Sequence, residues 1–194
     1  MRIGIYVGSF NPVHNGHITV INHLLNNDYI DKVLVIATGN YWDKDNLIDI
    51  KYRIGMLKLF ENNQIMVDEE MNAIPYTYLI LRELHKKYQR DELYLIIGAD
   101  NIISFDKWKE YEEIIANNKI LVIPRDDIQL DNYLDKYKKD KFIIVKDFDK
   151  VLISSSKIRA LLTERRYNEC EKYINKKIID YIIKNNLYLD KNLI

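Results

Sequence analysis

Five short, mainly apolar runs constrain the fold of this chain more than any other feature of its sequence. They occupy residues 3–7, 33–36, 93–97, 119–123 and 142–145. Because their apolar residues are continuous rather than alternating, each run is typical of a strand that is covered on both faces. Between the runs, residues 18–25, 52–60 and 78–84 have the apolar spacing of helices. This alternation predicts an α/β fold built on a parallel sheet with right-handed crossovers.

We interpret the whole chain, residues 1–194, as a single domain with a Rossmann-like, doubly wound parallel sheet. This length suffices for one hydrophobic core and is short for two. The part after about residue 155 is expected to form a helical C-terminal segment, with an apolar stripe made by Ile178, Ile179, Ile182 and Ile183. Ligands of such sheets bind beyond the carboxyl ends of the strands, so functional residues are expected directly after the strands.

The composition disfavours several broad classes of function. Lysine plus arginine equals aspartate plus glutamate at 29 residues each, so the neutral balance gives no reason to expect a nucleic acid or membrane partner. One cysteine, Cys170, allows neither an intrachain disulfide nor a cysteine-based zinc site, which suits a reducing cytoplasm. The first apolar run is too short for a signal peptide, and no stretch approaches the roughly 20 apolar residues of a membrane helix.

The first motif, G-S-F-N-P-V-H-N-G-H at residues 8–17, follows the first predicted strand. A helix that begins near Gly16 would direct its N–H groups and positive dipole end toward an anion, and His14 and His17 can face the same side of its first turn. The segment therefore predicts a polyphosphate site. A surface loop or a chance metal pair is the alternative, which the position between a strand and a helix disfavours. The glycine patterns of dinucleotide-binding and P-loop sites do not occur here.

The second motif is I-S-S-S-K-I-R at residues 153–159. A serine there is predicted to cap a helix, and the hydroxyls, the exposed N–H groups and Arg159 together can bind phosphate oxygens. Arginine suits this role because its guanidinium is always charged and pairs with phosphate at two points. The alternative is an ordinary capped helix that happens to contain an arginine.

Both motifs resemble signatures of the nucleotidyltransferase superfamily, namely H-x-G-H and I-S-S-T-x-I-R, with Ser156 where threonine is usual. Further segments are similar to bacterial nicotinate mononucleotide adenylyltransferases in the same order along the chain, from about Ile3 to Tyr188. The resemblance implies that ATP is bound by Gly8, Ser9, Phe10, His14, Gly16, His17, Ser154, Ser155, Ser156 and Arg159.

The middle of the chain carries the segments that the resemblance connects with a second substrate. Residues 53–57 resemble the family's R-x-x-M-L helix, 75–79 its S-Y-T segment, 98–100 its G-A-D segment and 105–111 its F-x-x-W-x-x-W segment. The resemblance implies that a pyridine mononucleotide is bound by Lys44, Thr77, Asp100, Trp108 and Arg125. Plainer interpretations stay open, in which the lysine is solvated, Arg53 lies on the surface, the threonine only caps a helix and the tryptophan is core.

The function that the resemblance implies is transfer of AMP from ATP to nicotinate mononucleotide, which gives deamido-NAD and pyrophosphate. His14, His17, Lys44 and Arg159 are then the catalytic residues, and Mg²⁺ is bound through the ATP phosphates without a metal site of the protein. Alternatives are a nicotinamide mononucleotide or phosphopantetheine adenylyltransferase, and, from another class, a non-catalytic nucleotide-binding sensor. The sequence leaves the oligomeric state open and allows a homo-oligomer.

Overall fold

The computed structural model describes residues 1–39, 47–125, 128, 130–137, 139–148 and 153–189. In this part of the chain six strands form one sheet in the order β3-β2-β1-β4-β5-β6, and every adjacent pair is parallel. The strands are β1 Arg2–Gly8, β2 Lys32–Ala37, β3 Ile65–Asp68, β4 Glu92–Gly98, β5 Lys119–Ile123 and β6 Phe142–Ile144. This is an α/β Rossmann-like sheet, as the sequence predicts.

Helices occupy the connections between the strands and the end of the chain. They are α1 Asn15–Asn26, α2 Ile50–Lys58, α3 Thr77–Lys87, α4 Ala99–Ile102, α5 Tyr111–Asn117, α6 Asp131–Leu134, α7 Ser155–Thr163, α8 Tyr167–Cys170 and α9 Lys176–Lys184. Short 3₁₀ helices lie at Met71–Ala73, Phe105–Lys107 and Lys139–Lys141. The prediction of a helical segment from about residue 155 is confirmed, since α7 begins at Ser155. No helix among the described residues is long and apolar enough to cross a membrane.

Both faces of the sheet are covered, which explains the unbroken apolar runs. In β2, Val33 and Val35 pack into one hydrophobic cluster with residues of α1, α2, α7, α8 and α9. The intervening Leu34 and Ile36 pack into a second cluster with residues of α3, α4, α5 and α6. The C-terminal helices thus share a core with the sheet.

Two local expectations were incomplete. The strand β3 was not predicted, because its three apolar residues are too few to distinguish an edge strand from a loop. In α9 the stripe is narrower than expected: Ile178, Ile179 and Ile182 are buried, whereas the side chain of Ile183 is 45% exposed.

The strand order places a crevice where the chain reverses its direction across the sheet. From β1 the chain moves outward through β2 and β3, then returns to pair β4 with the other side of β1. The connections that leave the carboxyl ends of β1 and β4 therefore diverge to opposite faces. Such a switch point is where open α/β sheets bind their ligands.

Candidate active site

A cavity of about 740 Å³ lies at this switch point. Strand ends contribute Gly8, Gly98 and Ile123 to its wall, and the segments that follow contribute most of the polar groups. Its volume is in the range of small-molecule and cofactor sites. Ten of the residues predicted from the sequence line it, namely Gly8, Phe10, His14, Gly16, His17, Asp100, Trp108, Arg125, Ser154 and Ser155.

The N-terminus of α1 brings the two predicted histidines together. His14 occupies the N-cap position and His17 lies in the first turn, so their rings stack with centroids 3.7 Å apart. The backbone N–H of His14 donates to Nδ1 of His17 at 3.2 Å, so Nε2 is the nitrogen that carries the hydrogen in the neutral ring. The Nδ1 atom of His14 is buried and has no hydrogen-bond partner among the described residues. A buried polar atom in this state is typical of a site that receives a ligand.

Burial keeps both imidazoles neutral. It lowers the pKa of His14 to about 4, with a further contribution from the Arg125 charge. Burial likewise holds the pKa of His17 well below its ordinary value, and the neighbouring His14 and Arg125 add to this effect. The two rings are therefore uncharged donors and acceptors at neutral pH, as expected for imidazoles at a helix N-terminus before an anion arrives.

The β1–α1 loop, residues 9–14, has an unusual backbone that Gly8 makes possible. Phe10 has a φ of 46°, and its side chain is only 2% exposed. Its ring makes edge contacts with Tyr6 and His17, at centroid distances of 5.4 and 4.9 Å. A Cβ atom on Gly8 would lie 3.1 Å from that ring, so glycine leaves the space into which the ring folds. Phe10 thus supports the wall of the cavity behind His17.

The second motif, residues 153–159, contacts the first motif, residues 8–17. Ser154 caps α7, its hydroxyl accepting the N–H of Lys157 at 3.5 Å, and it lines the cavity together with Ser155. Arg159 donates to the carbonyl oxygen of Asn11 at 3.1 Å, although 148 positions separate the two residues, and to the hydroxyl of Ser156 at 3.2 Å. The structure therefore brings α7 into direct contact with the β1–α1 loop.

Asp100 and Arg125, which follow β4 and β5, line the same cavity and form an ion pair with a closest N–O distance of 3.5 Å. A Cβ atom on Gly98 would collide with the Asp100 carboxylate, so glycine at the end of β4 makes room for it. Trp108 lines the same region and packs against Phe105, with ring centroids 5.1 Å apart. A carboxylate, a guanidinium and an indole thus line the cavity together with the histidines.

Four of the predicted residues do not line the cavity. Ser9 belongs to the β1–α1 loop, and Ser156 and Arg159 lie on α7, from which Arg159 contacts that loop. Thr77 is the first residue of α3 and does not occupy its cap position, since Tyr76 precedes it as the N-cap. Lys44 lies outside the described residues. The role of each remains a prediction.

Several lining residues were not selected from the sequence. They include Tyr6, Asn101, Pro124, Phe148 and Lys157. Lys157 lies inside the second motif and Pro124 directly precedes the predicted Arg125, so their places in the sequence could have identified them. Tyr6 and Phe148 give no such signal, because an aromatic residue in or after a strand is ordinarily core.

Comparison with known proteins identifies the family. The model of the cytidylyltransferase-like family matches residues 5–161. A protein of Acholeplasma laidlawii named "Probable nicotinate-nucleotide adenylyltransferase" is 34% identical over 192 residues, covering 95% of this chain and 96% of that protein. One of the same name from Borreliella burgdorferi is 35% identical over 201 residues, covering 98% of each.

The chain belongs to the cytidylyltransferase-like family and, within it, to the nicotinate-nucleotide adenylyltransferases. It is therefore a nucleotidyltransferase. Among solved structures, nicotinic acid mononucleotide adenylyltransferase of Plasmodium falciparum complexed with NaAD superposes with a TM-score of 0.83 at 27% identity. The superposition covers 96% of this chain and 97% of that one. The predicted family and fold are confirmed.

Proposed function

We propose that this nucleotidyltransferase moves AMP from ATP to nicotinate mononucleotide, giving deamido-NAD and pyrophosphate. The observation that carries the proposal is a single cavity whose lining combines neutral histidines and a serine-capped helix with the Asp100–Arg125 pair. Relatives named for this activity match nearly the whole chain, and the Plasmodium falciparum neighbour was solved with NaAD.

The two sides of the cavity divide between the two substrates. On the side of the histidines, ATP is held by Gly8, Ser9, Phe10, His14, Gly16, His17, Ser154, Ser155, Ser156 and Arg159. The N-termini of α1 and α7 lie on this side, and the positive end of each helix dipole favours phosphate. On the other side, the mononucleotide is held by Lys44, Thr77, Asp100, Trp108 and Arg125. There the carboxylate can accept ribose hydroxyls, the guanidinium can pair with phosphate and the indole can stack on the pyridine ring.

In the reaction a phosphate oxygen of the mononucleotide attacks the α-phosphorus of ATP. An oxygen lone pair forms the new P–O bond while the bond to the β-phosphate oxygen breaks, and that electron pair leaves with pyrophosphate. The nucleophile is ionised at neutral pH, so the step requires no strong general base. Catalysis can rest on positioning and on stabilisation of the charge that develops at phosphorus.

The chain's own residues supply this stabilisation. Nε2–H of His17 is a fixed donor, because Nδ1 already accepts from the His14 backbone. Nδ1 of His14 makes no hydrogen bond to the described residues, so it can form one with the substrate. Lys44 and Arg159 act as the catalytic cations, and Arg125 adds positive potential within the same cavity. Together they offset the repulsion between two anionic substrates.

Mg²⁺ is the cofactor that we expect to accompany ATP. No group of three or more His, Cys, Asp or Glu side chains that could hold a metal occurs in the described part of the chain. Mg²⁺ usually keeps several waters and binds through substrate phosphates, so we expect the ATP phosphates to carry the ion. When bound, the ion supplies positive charge to the phosphate oxygens.

Pyrophosphate release measures the proposed activity directly. The purified protein with ATP and Mg²⁺ should release pyrophosphate with nicotinate mononucleotide, and less with nicotinamide mononucleotide or phosphopantetheine offered in parallel. Preference for one of the other two acceptors would move the assignment to a neighbouring enzyme of the family. ATP binding without release with any acceptor would favour a nucleotide sensor.

We extend the proposal to the domain organisation, the cellular location and the oligomeric state of the enzyme. The whole chain acts as one domain in the cytoplasm, consistent with its neutral charge and single buried cysteine. A homo-oligomer is compatible with this function, and light scattering of the purified protein would measure it.

A further inference from the structure

Beneath the β1–α1 loop lies an arginine that the reaction described above does not use. Arg53, on α2, is 0% exposed. Its guanidinium donates to the carbonyl oxygens of Ser9 at 2.8 Å and Thr38 at 2.7 Å, and its Nε donates to that of Ile48 at 3.0 Å. Ser9 follows β1 and Thr38 follows β2, so one side chain joins the carboxyl ends of two neighbouring strands. The sequence-based alternative of a surface arginine is wrong.

A second buried side chain reaches the same loop from the end of the chain. Tyr188 is 1% exposed, and its hydroxyl donates to Oδ1 of Asn11 at 2.8 Å. The same oxygen accepts the backbone N–H of Ile48 at 3.4 Å, and the Asn11 carbonyl accepts Arg159. Burial raises the pKa of Tyr188, which keeps its hydroxyl in the donating form.

These bonds act on a segment whose shape sets the position of the histidines. The loop contains the positive φ of Phe10 and leads within a few residues to His14 and His17. The first N–H of α1, that of Asn15, is fixed in the same way, because it donates to the Tyr173 carbonyl at 2.8 Å. The loop is thus held from α2, from α7 and from the end of the chain.

We propose that Arg53 and Tyr188 are positioning residues that hold the β1–α1 loop so that His14 and His17 meet the triphosphate in transfer-ready geometry. The inference rests on the proposed function. It assigns the C-terminal end of the chain a part in catalysis, although Tyr188 does not line the cavity. Neither residue touches substrate, so the effect of each passes through the loop.

Tyr188→Phe tests this with the removal of a single hydroxyl. A small misplacement of reacting groups can cost about 10² in rate, so we expect kcat to fall about tenfold or more with little change in the KM for ATP. The matched control is Tyr94→Phe. Tyr94 is also buried, at 5% exposed, but its hydroxyl donates to Glu92, near the start of β4 and far from the cavity. That control should keep the wild-type kcat.

A double-mutant cycle separates positioning from a general loss of stability. If Tyr188 acts through the histidines, Tyr188→Phe should cost much less in a His17→Ala background than in the wild type. Equal fold-losses in both backgrounds, or a kcat for Tyr188→Phe that matches Tyr94→Phe, would overturn the inference. Arg53→Lys keeps the charge but cannot reach three carbonyls, so we expect a similar kcat loss, and a wild-type kcat would remove Arg53 from the proposal.

Nuclear magnetic resonance of the free protein tests the position of the His17 ring without an activity measurement. The ¹⁵N signals of the His17 ring should shift in Tyr188→Phe and stay unchanged in Tyr94→Phe, because only the former releases the loop. Unchanged signals in both variants would overturn the inference. A wild type that releases no pyrophosphate with any acceptor would defeat the proposed function instead, so the two failures are distinguishable. If Arg53→Lys does not fold, Tyr188→Phe alone still tests whether the loop positions the histidines.

Discussion

The β1–α1 loop and the Asp100–Arg125 pair face the same cavity, yet they are built in opposite ways. His14 is 6% exposed, and the loop before it is fixed by buried donors from distant parts of the chain. Asp100 and Arg125 have side chains 47% and 52% exposed, and they are joined by one long contact of 3.5 Å. The loop that carries the histidines is therefore preassembled, whereas the Asp100–Arg125 ion pair is weakened by its exposure to water.

The difference corresponds to what each side has to do under the proposed function. Groups that stabilise the transition state are most effective when they need no reorganisation, which favours a rigid, buried arrangement around the histidines. A half-exposed ion pair contributes about 0–1 kcal/mol to stability, so it can open at little cost. Arg125 can then turn to a phosphate and Asp100 to ribose hydroxyls.

The largest effect is expected at the preassembled side. His17→Ala removes a donor that is already aimed, and the loss of one such donor typically lowers turnover by about 10²–10³. The fold should persist, since the change leaves the strands and their core intact. Steady-state pyrophosphate release and circular dichroism measure the two quantities.

His85→Ala is the control for His17→Ala. His85 lies on α3, bonds to Asn118 at 3.0 Å and does not line the cavity, so turnover should be close to that of the wild type. An activity for His17→Ala within a few-fold of this control would reject the catalytic role.

The buried histidines should also make stability depend on pH. The pKa of His14 is about 4 in the folded protein, below its ordinary value of 6.5, so the unfolded chain binds more protons between these limits. Stability is therefore complete above about pH 6.5 and is lost as the pH falls toward 4, by about 2 kcal/mol at pH 5 from this residue. Urea unfolding at about pH 7.5 and pH 5 should show a smaller loss in His14→Gln than in the wild type. An equal loss in both would contradict the buried, neutral assignment.

The same contrast separates what the sequence could predict from what it could not. Both sides carry motifs, and the strands that present them are continuous apolar runs. The fold therefore followed from local patterns, and ten cavity residues followed from the family resemblance of those motifs. The environment of Arg53 could not follow, because its carbonyl acceptors come from two connections, one after β1 and one after β2, that only the folded chain brings together. Asp100 and Arg125 likewise lie beyond different strands, so only the order of β4 and β5 in the sheet makes them a pair.

The smallest effect is expected at the open side. Arg125→Met should raise the KM for the mononucleotide about tenfold, since a hydrogen bond to a charged group contributes roughly 1.5–3 kcal/mol, while the free energy of unfolding changes by less than about 1 kcal/mol. Arg82→Met is a matched control, because Arg82 pairs with Glu113 on the surface at 2.5 Å, outside the cavity. It should leave that KM unchanged. If Arg125→Met instead destabilised the protein by several kcal/mol at constant KM, the pair would be a structural element like Arg53, and the proposed division between a rigid side and an opening side would be wrong.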